Sequence, residues 1–160
     1  MSVASSNTRR STAGGPQIDP RGPRLAATLT TIVLAVTLVT GSGWLLAAQA
    51  VLFGIGAFLG VQHTPYALLF RRVVRPRLDP PAELEDARPP QFAQAVGLAF
   101  ALVGVVAAAT GATAVFLAAT GLALGAAFLN AAFGFCLGCE IYLIARRYLP
   151  TTSATEEIPA

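Results

Sequence analysis

The feature that most constrains this chain is a set of long apolar stretches that together contain a single charged residue, Glu140. They run from about Leu25 to Thr40, Trp44 to Gly60, Gln91 to Ala109 and Thr113 to Ile144. Their apolar residues are continuous and do not follow the spacing of a helix with one solvated face, so lipid is the solvent that suits them. The chain is 54% hydrophobic and only 12% charged, which is far from a soluble globular balance. The sequence therefore predicts an all-α membrane protein.

The arginines indicate how the helices are oriented. All eleven basic residues are Arg, and each lies outside the apolar stretches. With four transmembrane helices, every charged segment falls on one side of the membrane, and the two uncharged turns at 41–43 and 110–112 fall on the other. The positive-inside rule then predicts a multi-pass protein of the inner (plasma) membrane with both termini in the cytoplasm. A basic fringe of this kind has no interleaved aromatic residues, so nucleic-acid binding is not expected.

Polar segments divide the chain into five predicted parts. The two ends, which lack apolar periodicity, are expected to be disordered cytoplasmic tails. A segment with five prolines and mixed charges is a cytoplasmic linker between two pairs of spans. In chain order the parts are a tail at 1–18, the first pair of spans at 19–76, the linker at 77–90, the second pair at 91–149 and a tail at 150–160.

A short surface helix is expected after each pair of spans, on the cytoplasmic side. The first begins at Pro65, with Thr64 as its N-cap, and runs to about Arg75. The second runs from Glu140 to Leu149, after a break at Gly134 to Cys139 that ends the fourth span at about Phe133. Gly121 and Gly125, spaced as GxxxG, are expected at a close helix contact.

The two pairs of spans share a sequence pattern. Residues 19–26 read DPRGPRLA and residues 86–93 read DARPPQFA, an offset of 67. Each motif is followed by a span, a short turn, a second span, a glycine-marked break and a helix that ends in an Arg-Arg pair. This order predicts two parallel repeats related by an axis along the membrane normal.

The residues that can carry chemistry are concentrated at 133–140, FGFCLGCE, which holds both cysteines. Cys136 and Cys139 at i and i+3 have Cα atoms about 5 Å apart in a helical turn, within disulfide range. A helix start favours thiolate, and the cytoplasm keeps such a pair reduced. The motif favours a dithiol that exchanges electrons or accepts sulfur. The candidate catalytic residues are Cys136, Cys139 and Glu140, the last as a modulator or proton relay.

Other interpretations of the same residues stay open. Cysteine also packs well as a small apolar residue, so the pair can be structural. The CxxC spacing is half of a zinc or iron site, which His63 and Glu140 could complete in one chain and a homodimer could complete with four cysteines. His63 is otherwise typical of a water-exposed residue at a helix break. Glu140 can instead pair with Arg146 or Arg147. No other cofactor is predicted.

Four segments carry a resemblance to a known family: DPRGPRLAA, PYALLFRRVVRPRL, PPAELEDARPPQFAQAVG and FLNAAFGFCLGCEIYL. Together they resemble an uncharacterised family of actinobacterial integral membrane proteins, catalogued as a domain of unknown function, over residues 18–148. The resemblance implies a four-span membrane protein but no established activity, and His63 is not part of the pattern. It also associates the chain with a thioredoxin-like or sulfurtransferase partner in the cytoplasm.

Three functions follow as expectations. Thiol-redox or sulfur handling through the cytoplasmic-side dithiol comes first, and the sequence leaves open whether this makes the protein an enzyme. The alternative is a non-enzymatic membrane scaffold or assembly partner with structural cysteines. Small-solute transport between the repeats is less favoured, because Gln49, Gln94 and Asn130 are expected to serve as hydrogen-bonding residues between helices.

Overall fold

A computed structural model of the chain describes residues 16–81 and 83–148, which form six helices and a two-stranded ladder. The helices are α1 (Arg21–Thr40), α2 (Gly43–Gly54), α3 (Pro65–Leu69), α4 (Arg88–Thr110), α5 (Thr113–Phe133) and α6 (Leu137–Tyr148). Helix α2 continues as a π-helical turn (Ile55–Leu59), and α3 as another (Phe70–Val74). Two 3-10 turns cover Val61–His63 and Arg75–Arg77, and the strands are β1 (Gln17–Ile18) and β2 (Glu85–Asp86). The tails predicted at 1–15 and 150–160 lie outside the described residues.

Three helices are long and apolar enough to cross a membrane: α1 with 20 residues, α4 with 23 and α5 with 21. The apolar helix Gly43–Leu59 is shorter. Large apolar side chains project outward from the bundle, including Val39 and Trp44, each 88% exposed, and Phe133, 72% exposed. Such a surface suits lipid and not water. The all-α class is confirmed, and the apolar helices indicate a membrane-embedded protein.

Glycine ends the first helix of each pair. Gly41 follows α1 with φ 64°, and Gly111 follows α4 with φ 75°, a left-handed conformation that costs glycine nothing. The Ser42 hydroxyl then accepts the backbone N–H of Leu45 and caps α2. The chain therefore reverses within one or two uncharged residues in each pair.

The four long helices pack in a closed ring in the order α1, α2, α4, α5, with α5 returning to α1. Its core is formed by buried apolar side chains of all four helices. They are Leu34, Leu46, Ala50, Phe53, Ala101, Ala107, Phe116 and Ala123. Helices α2 and α4 approach closely at Gly104, where an added Cβ would lie 2.5 Å from a methyl carbon of Leu46. The surface helices extend the ring, α3 against α1 and α6 against α4.

Two polar side chains join the helix ends at one end of the bundle. Arg24 of α1 donates to the carbonyl oxygens of Ala131 and Ala132 in the last turn of α5, both at 3.3 Å. Gln91 of α4 donates to the carbonyl of Ala57 in the π turn after α2, at 2.8 Å. The start of α1 thus meets the end of α5, and the start of α4 meets the end of α2. We call this the arginine end, because it carries Arg21, Arg24, Arg71, Arg72, Arg75, Arg77, Arg88, Arg146 and Arg147.

A short antiparallel ladder spans the arginine end. Its Cα partners are Gln17 with Asp86 and Ile18 with Glu85. Two residues assigned to the amino tail from the sequence, Gln17 and Ile18, are therefore ordered in β1. After each strand an aspartate turns the chain into a helix: Asp19 accepts the backbone N–H of Arg21 at 3.0 Å, and Asp86 that of Arg88 at 2.9 Å.

Asp86 is also bound by the side chain that follows it. The guanidinium of Arg88 lies 3.1 Å from its carboxylate, the only ion pair within residues 16–81 and 83–148. The hydrogen bond from the Arg88 backbone, together with this guanidinium, holds the pKa of Asp86 below its usual range. The start of α4 is therefore fixed by an aspartate that stays ionised.

Some predicted boundaries differ from the structure. Helix α1 begins at Arg21 and not at Leu25, and α4 begins at Arg88 and not at Gln91. The reason is that proline fits the first turn of a helix, where its missing N–H is not needed. Gly121 and Gly125 have no atom within 4 Å of an added Cβ, so the expected close contact is not formed within the described chain.

Candidate functional site

The candidate site begins where α5 ends. Gly134, with φ 69°, follows Phe133 in the left-handed conformation, and its N–H donates to the carbonyl of Asn130 at 3.0 Å. Two residues later Cys136 caps α6: its Sγ accepts the backbone N–H of Cys139 at 3.3 Å, and its carbonyl accepts that of Glu140 at 3.0 Å. Helix α6 therefore begins at Leu137, and the prediction that it begins at Glu140 is wrong. The break is correspondingly shorter, residues 134–136.

The two cysteines lie in the first turn of α6. Their sulfur atoms are bonded as a disulfide, with the Cα atoms 5.2 Å apart. This agrees with the separation expected from the i, i+3 spacing. Both residues are half-buried. The sequence predicted a dithiol at rest, and the structure describes the oxidised form of the same pair.

The residue between the cysteines holds α6 against α4. A Cβ added to Gly138 would lie 2.6 Å from the Cβ and 2.7 Å from the Cα of Ala93. One turn further, the rings of Tyr142 and Phe92 have centroids 5.7 Å apart, and the guanidinium of Arg146 lies 5.9 Å from the Tyr142 centroid. The cysteine pair is thus anchored to the start of the third long helix, a contact that the sequence did not reveal.

Glu140 lies in the first turn of α6, next to Cys139, and is exposed. A carboxylate in this position is favoured by the helix dipole. No ion pair joins Glu140 to Arg146 or Arg147 in the part of the chain that the structure describes. Its carboxylate is therefore accessible to solvent within one residue of a sulfur atom, which suits the predicted modulator or proton relay.

His63 does not join the cysteines in a cluster. It is exposed in the 3-10 turn Val61–His63. Over residues 16–81 and 83–148, no group of three or more His, Cys, Asp or Glu side chains could hold a metal ion. Zinc or iron at Cys136 and Cys139 would therefore need ligands beyond those that one described chain brings together.

A cavity of about 380 Å³ lies between the two helix pairs near the arginine end. Most of its wall is apolar. Its uncharged polar or sulfur-bearing residues are Thr30, Gln62, Thr64, Gln94, Asn130 and Cys136. The sequence predicted that Gln94 and Asn130 bond between helices, whereas both line this space. Gln49 does bond as predicted, to Thr30 at 3.5 Å and to Tyr66 at 3.0 Å.

Comparison with protein families places the chain. A family model described as "Domain of unknown function (DUF4395)" matches residues 18–147, from the ladder to the last turn of α6. The chain belongs to the DUF4395 family. This confirms the resemblance to an uncharacterised domain family. Neither the curated proteins nor the solved structures contain a match to the chain.

The DUF4395 match includes every part of the candidate site. Within it, a helix N-terminus presents Cys136 on the wall of a cavity, while Cys139 follows one turn later. A cysteine at a helix N-terminus that accepts a backbone N–H is a favoured thiolate. The arrangement can therefore open and close a disulfide beside a space large enough for a small molecule.

Proposed function

We propose that this DUF4395 protein handles electrons or sulfur through a Cys136–Cys139 thiol pair at its arginine end. The observation that carries the proposal is the cap of α6, where Cys136 Sγ accepts the N–H of Cys139 and the Cα atoms lie 5.2 Å apart. This geometry stabilises a thiolate at Cys136 and brings the second sulfur within bonding distance. A pair used only for packing needs neither property.

Thiol–disulfide exchange with a thioredoxin-like protein proceeds in two steps. The Cys136 thiolate attacks one sulfur of the partner's disulfide, and the partner's other sulfur leaves as a thiolate and takes up a proton. Cys139, losing its proton towards Glu140 or water, then attacks Cys136 and releases the partner's remaining thiol. The pair has lost two electrons and two protons, and the partner has gained them. The steps run in reverse when the partner is reduced.

Sulfur handling would use the same nucleophile. A sulfurtransferase that carries a persulfide would transfer its outer sulfur to Cys136, leaving a persulfide on Cys136 and a thiol on the transferase. Cys139 would then attack Cys136 to form the disulfide and release the sulfur as sulfide. Both chemistries need Cys136 accessible from the side of the membrane that holds the partner.

We further propose four transmembrane helices, with the arginine end in the cytoplasm of a plasma membrane. The described arginines gather at this end, and both turns at the opposite end are uncharged, as the positive-inside rule requires. Helix α2 with its π turn, Gly43–Leu59, would be the fourth span. At about 1.5 Å per residue its 17 residues would reach roughly 25 Å, short for a bilayer core but workable.

A parallel repeat of two helix pairs is supported by contacts at the predicted offset. Ile18 and Glu85, 67 residues apart, are partners in the ladder, so the local two-fold axis of the antiparallel pair relates one half to the other. Arg24 and Gln91, also 67 residues apart, each bond the end of the other half's second helix. The packing of α3 on α1 corresponds to that of α6 on α4.

Side-specific alkylation tests this function. Right-side-out and inverted vesicles that hold the full chain are treated with a membrane-impermeant maleimide, before and after reduction. We expect labelling of the reduced pair only in inverted vesicles, faster at Cys136 than at Cys139, and full protection after oxidation by a thioredoxin-like disulfide. Cys136→Ser should trap no mixed disulfide with the partner, whereas Cys139→Ser should accumulate one.

Contrary results point to the other interpretations. If neither thiol reacts in either vesicle orientation and both Cys→Ser variants keep the protein's complexes intact, the cysteines are structural and the protein is a scaffold. Stoichiometric zinc or iron in the purified protein, lost in both variants, would instead assign a metal site between two copies. Labelling of the pair only in right-side-out vesicles would overturn the proposed orientation.

A further inference from the structure

The cavity beside the cysteine pair offers a site for an electron acceptor. We propose that it binds the ring of a membrane-soluble quinone, which oxidises the Cys136–Cys139 dithiol. This inference rests on the proposed function, since it names the small molecule that would regenerate the disulfide. It is drawn from the cavity's position, its wall and its polar groups.

Position brings the cavity and the pair together. Cys136 is half-buried and forms part of the cavity wall, at the point where α6 begins. A molecule in the cavity would therefore lie beside the sulfur that the helix N-terminus favours as a thiolate. A soluble oxidant would have to reach the same sulfur from outside the bundle, whereas a lipid-soluble one has access to the apolar interior.

The wall suits a flat, uncharged ring. Its volume of about 380 Å³ is within the range of pockets for small organic ligands, roughly 300–1,000 Å³. Phe53, Phe70 and Phe100 contribute to the lining, and aromatic faces pack well against a conjugated ring. The described arginines of the lining, Arg71 and Arg75, are exposed, so an inorganic anion would find no buried cation among them.

The polar groups suit both redox states of a quinone. A quinone presents two carbonyl acceptors, and the quinol presents two hydroxyl donors. The side-chain amides of Gln94 and Asn130 can donate to the first and accept from the second. Gln62, also in the lining, has a buried Oε1 with no hydrogen-bond partner in the part of the chain that the structure describes, and such atoms normally have one. A hydroxyl donor nearby would satisfy it.

The reaction balances without a further reactant. Two S–H bonds of the dithiol break and one S–S bond forms between Cys136 and Cys139. The two electrons and two protons pass to the quinone, whose carbonyl oxygens become the two hydroxyls of the quinol. Membrane quinones are known acceptors of electrons from protein dithiols.

Anaerobic oxidation of the purified full chain in detergent tests the proposal. The protein is reduced, freed of reductant and mixed with decylubiquinone, whose fully substituted ring does not add thiols. We expect one quinol, measured by ultraviolet absorbance, for each disulfide, measured by alkylation and mass spectrometry. Ala127→Phe, which fills the cavity from α5, should slow the reaction about tenfold or more, equivalent to at least about 1.4 kcal/mol. Ala118→Phe, on the exposed face of α5, is the matched control and should react at the normal rate.

Binding is measured apart from the redox step. In Cys136→Ser/Cys139→Ser, decylubiquinone should still raise the melting temperature, and Gln94→Leu should weaken this binding about threefold to tenfold, the loss of one hydrogen bond. Gln94→Leu also covers the case in which Ala127→Phe does not fold. Unchanged oxidation and binding in both cavity variants would overturn the proposal, as would binding of a saturated fatty acid with equal affinity.

The two proposals fail in distinguishable ways. A pair that exchanges with a thioredoxin-like disulfide, but is neither bound nor oxidised by quinone, refutes the quinone site alone. A pair that resists both partners, in a protein that still melts cooperatively, refutes the thiol function and the quinone site with it.

Discussion

Gly138 shows how a single missing Cβ positions the reactive pair. The glycine separates the two cysteines in sequence, and its Cα faces Ala93 of α4 so closely that even a methyl group would overlap the neighbour's backbone. Helix α6 has no buried residue of its own within the described chain, so this contact and the Tyr142–Phe92 pair carry much of its attachment. The position of the disulfide therefore depends on a residue with no chemistry.

Gly138→Ala is expected to displace α6 from α4. Relieving the overlap requires a shift of the helix, and strain of this kind costs about 1–3 kcal/mol. Thermal unfolding in detergent would measure the loss of stability, and protease sensitivity near Gly134 would report the detachment of α6. Gly121→Ala is the control, because an added Cβ there meets no atom within 4 Å. Equal melting temperatures for the two variants would contradict the tight contact.

Cys136 also explains why the start of α6 was misjudged from the sequence. Helix N-caps are usually Ser, Thr, Asp or Asn, and Thr64 was recognised as the cap of α3, where its hydroxyl accepts the N–H of Ala67 at 3.2 Å. A cysteine sulfur is a weaker acceptor and is not a standard start signal. The spacing of the pair could be predicted, but its role as a cap needed the coordinates.

At the scale of elements, Arg24 and Gln91 tie each half's first helix to the other half's second. Both donate to carbonyls at helix ends, where the backbone acceptors have no partner within the helix. Arg24 adds a positive charge at the negative end of α5. These bonds close the ring α1, α2, α4, α5 at the arginine end, where the apolar core gives way to polar segments.

Arg24→Ala and Gln91→Ala should each lower the free energy of unfolding by about 0.5–1.5 kcal/mol, the value of a hydrogen bond. Their effects should add in the double variant, because the two residues have different partners. Denaturant unfolding in mixed micelles would measure this. Arg72→Ala is the control, since Arg72 is exposed and makes no hydrogen bond within residues 16–81 and 83–148. A loss in the control as large as in Arg24→Ala would show a general effect of charge.

Helix existence was predictable because charge-free apolar stretches leave few alternatives in lipid. The span from Thr113 to Phe133 agrees with α5 at both ends, since Gly111 and Gly134 mark its limits. The starts of α1 and α4 were placed three or four residues late, because their first turns contain proline and arginine and do not read as apolar. Helix starts follow local hydrogen bonds, to which hydropathy is blind.

At the scale of the whole molecule, the ladder is the place where the two halves meet by backbone pairing. Two-residue strands are marginal by themselves, so their register depends on the helices that follow them. That register makes Ile18 and Glu85 partners, 67 residues apart, which is the offset at which the DxR motifs repeat. A sequence repeat and a backbone pairing therefore have the same centre.

Ile18→Cys with Glu85→Cys should form a cross-link when Cys136 and Cys139 are replaced by Ser. Directly paired strand residues have Cα atoms within disulfide range and side chains on the same face. The measurement is non-reducing gel mobility after mild oxidation and cleavage of the linker. Gln17→Cys with Glu85→Cys is the comparison, because neighbouring strand residues face opposite sides. Cross-linking at equal rates would mean that the ladder has no defined register.

The cavity was beyond prediction from the sequence. Gln94 and Asn130 were noticed as polar residues in apolar stretches, but whether such residues bond to a helix or face a space depends on how four helices pack. The same is true of Cys136, whose place on the wall follows from the angle of α6 set at Gly138. Sequence patterns identify residues that can carry chemistry, while packing decides which of them share a site.

The uncharged turns after α1 and α4 have a consequence for biogenesis. Gly41, Ser42, Gly111 and Ala112 are the only residues between the helices of each pair, and none carries a side-chain charge. Moving a charged side chain through hydrocarbon is costly, whereas these turns add only backbone groups and one hydroxyl. In a bilayer, each helix pair could therefore insert as a closed hairpin from the side on which the chain is made, with every arginine left behind.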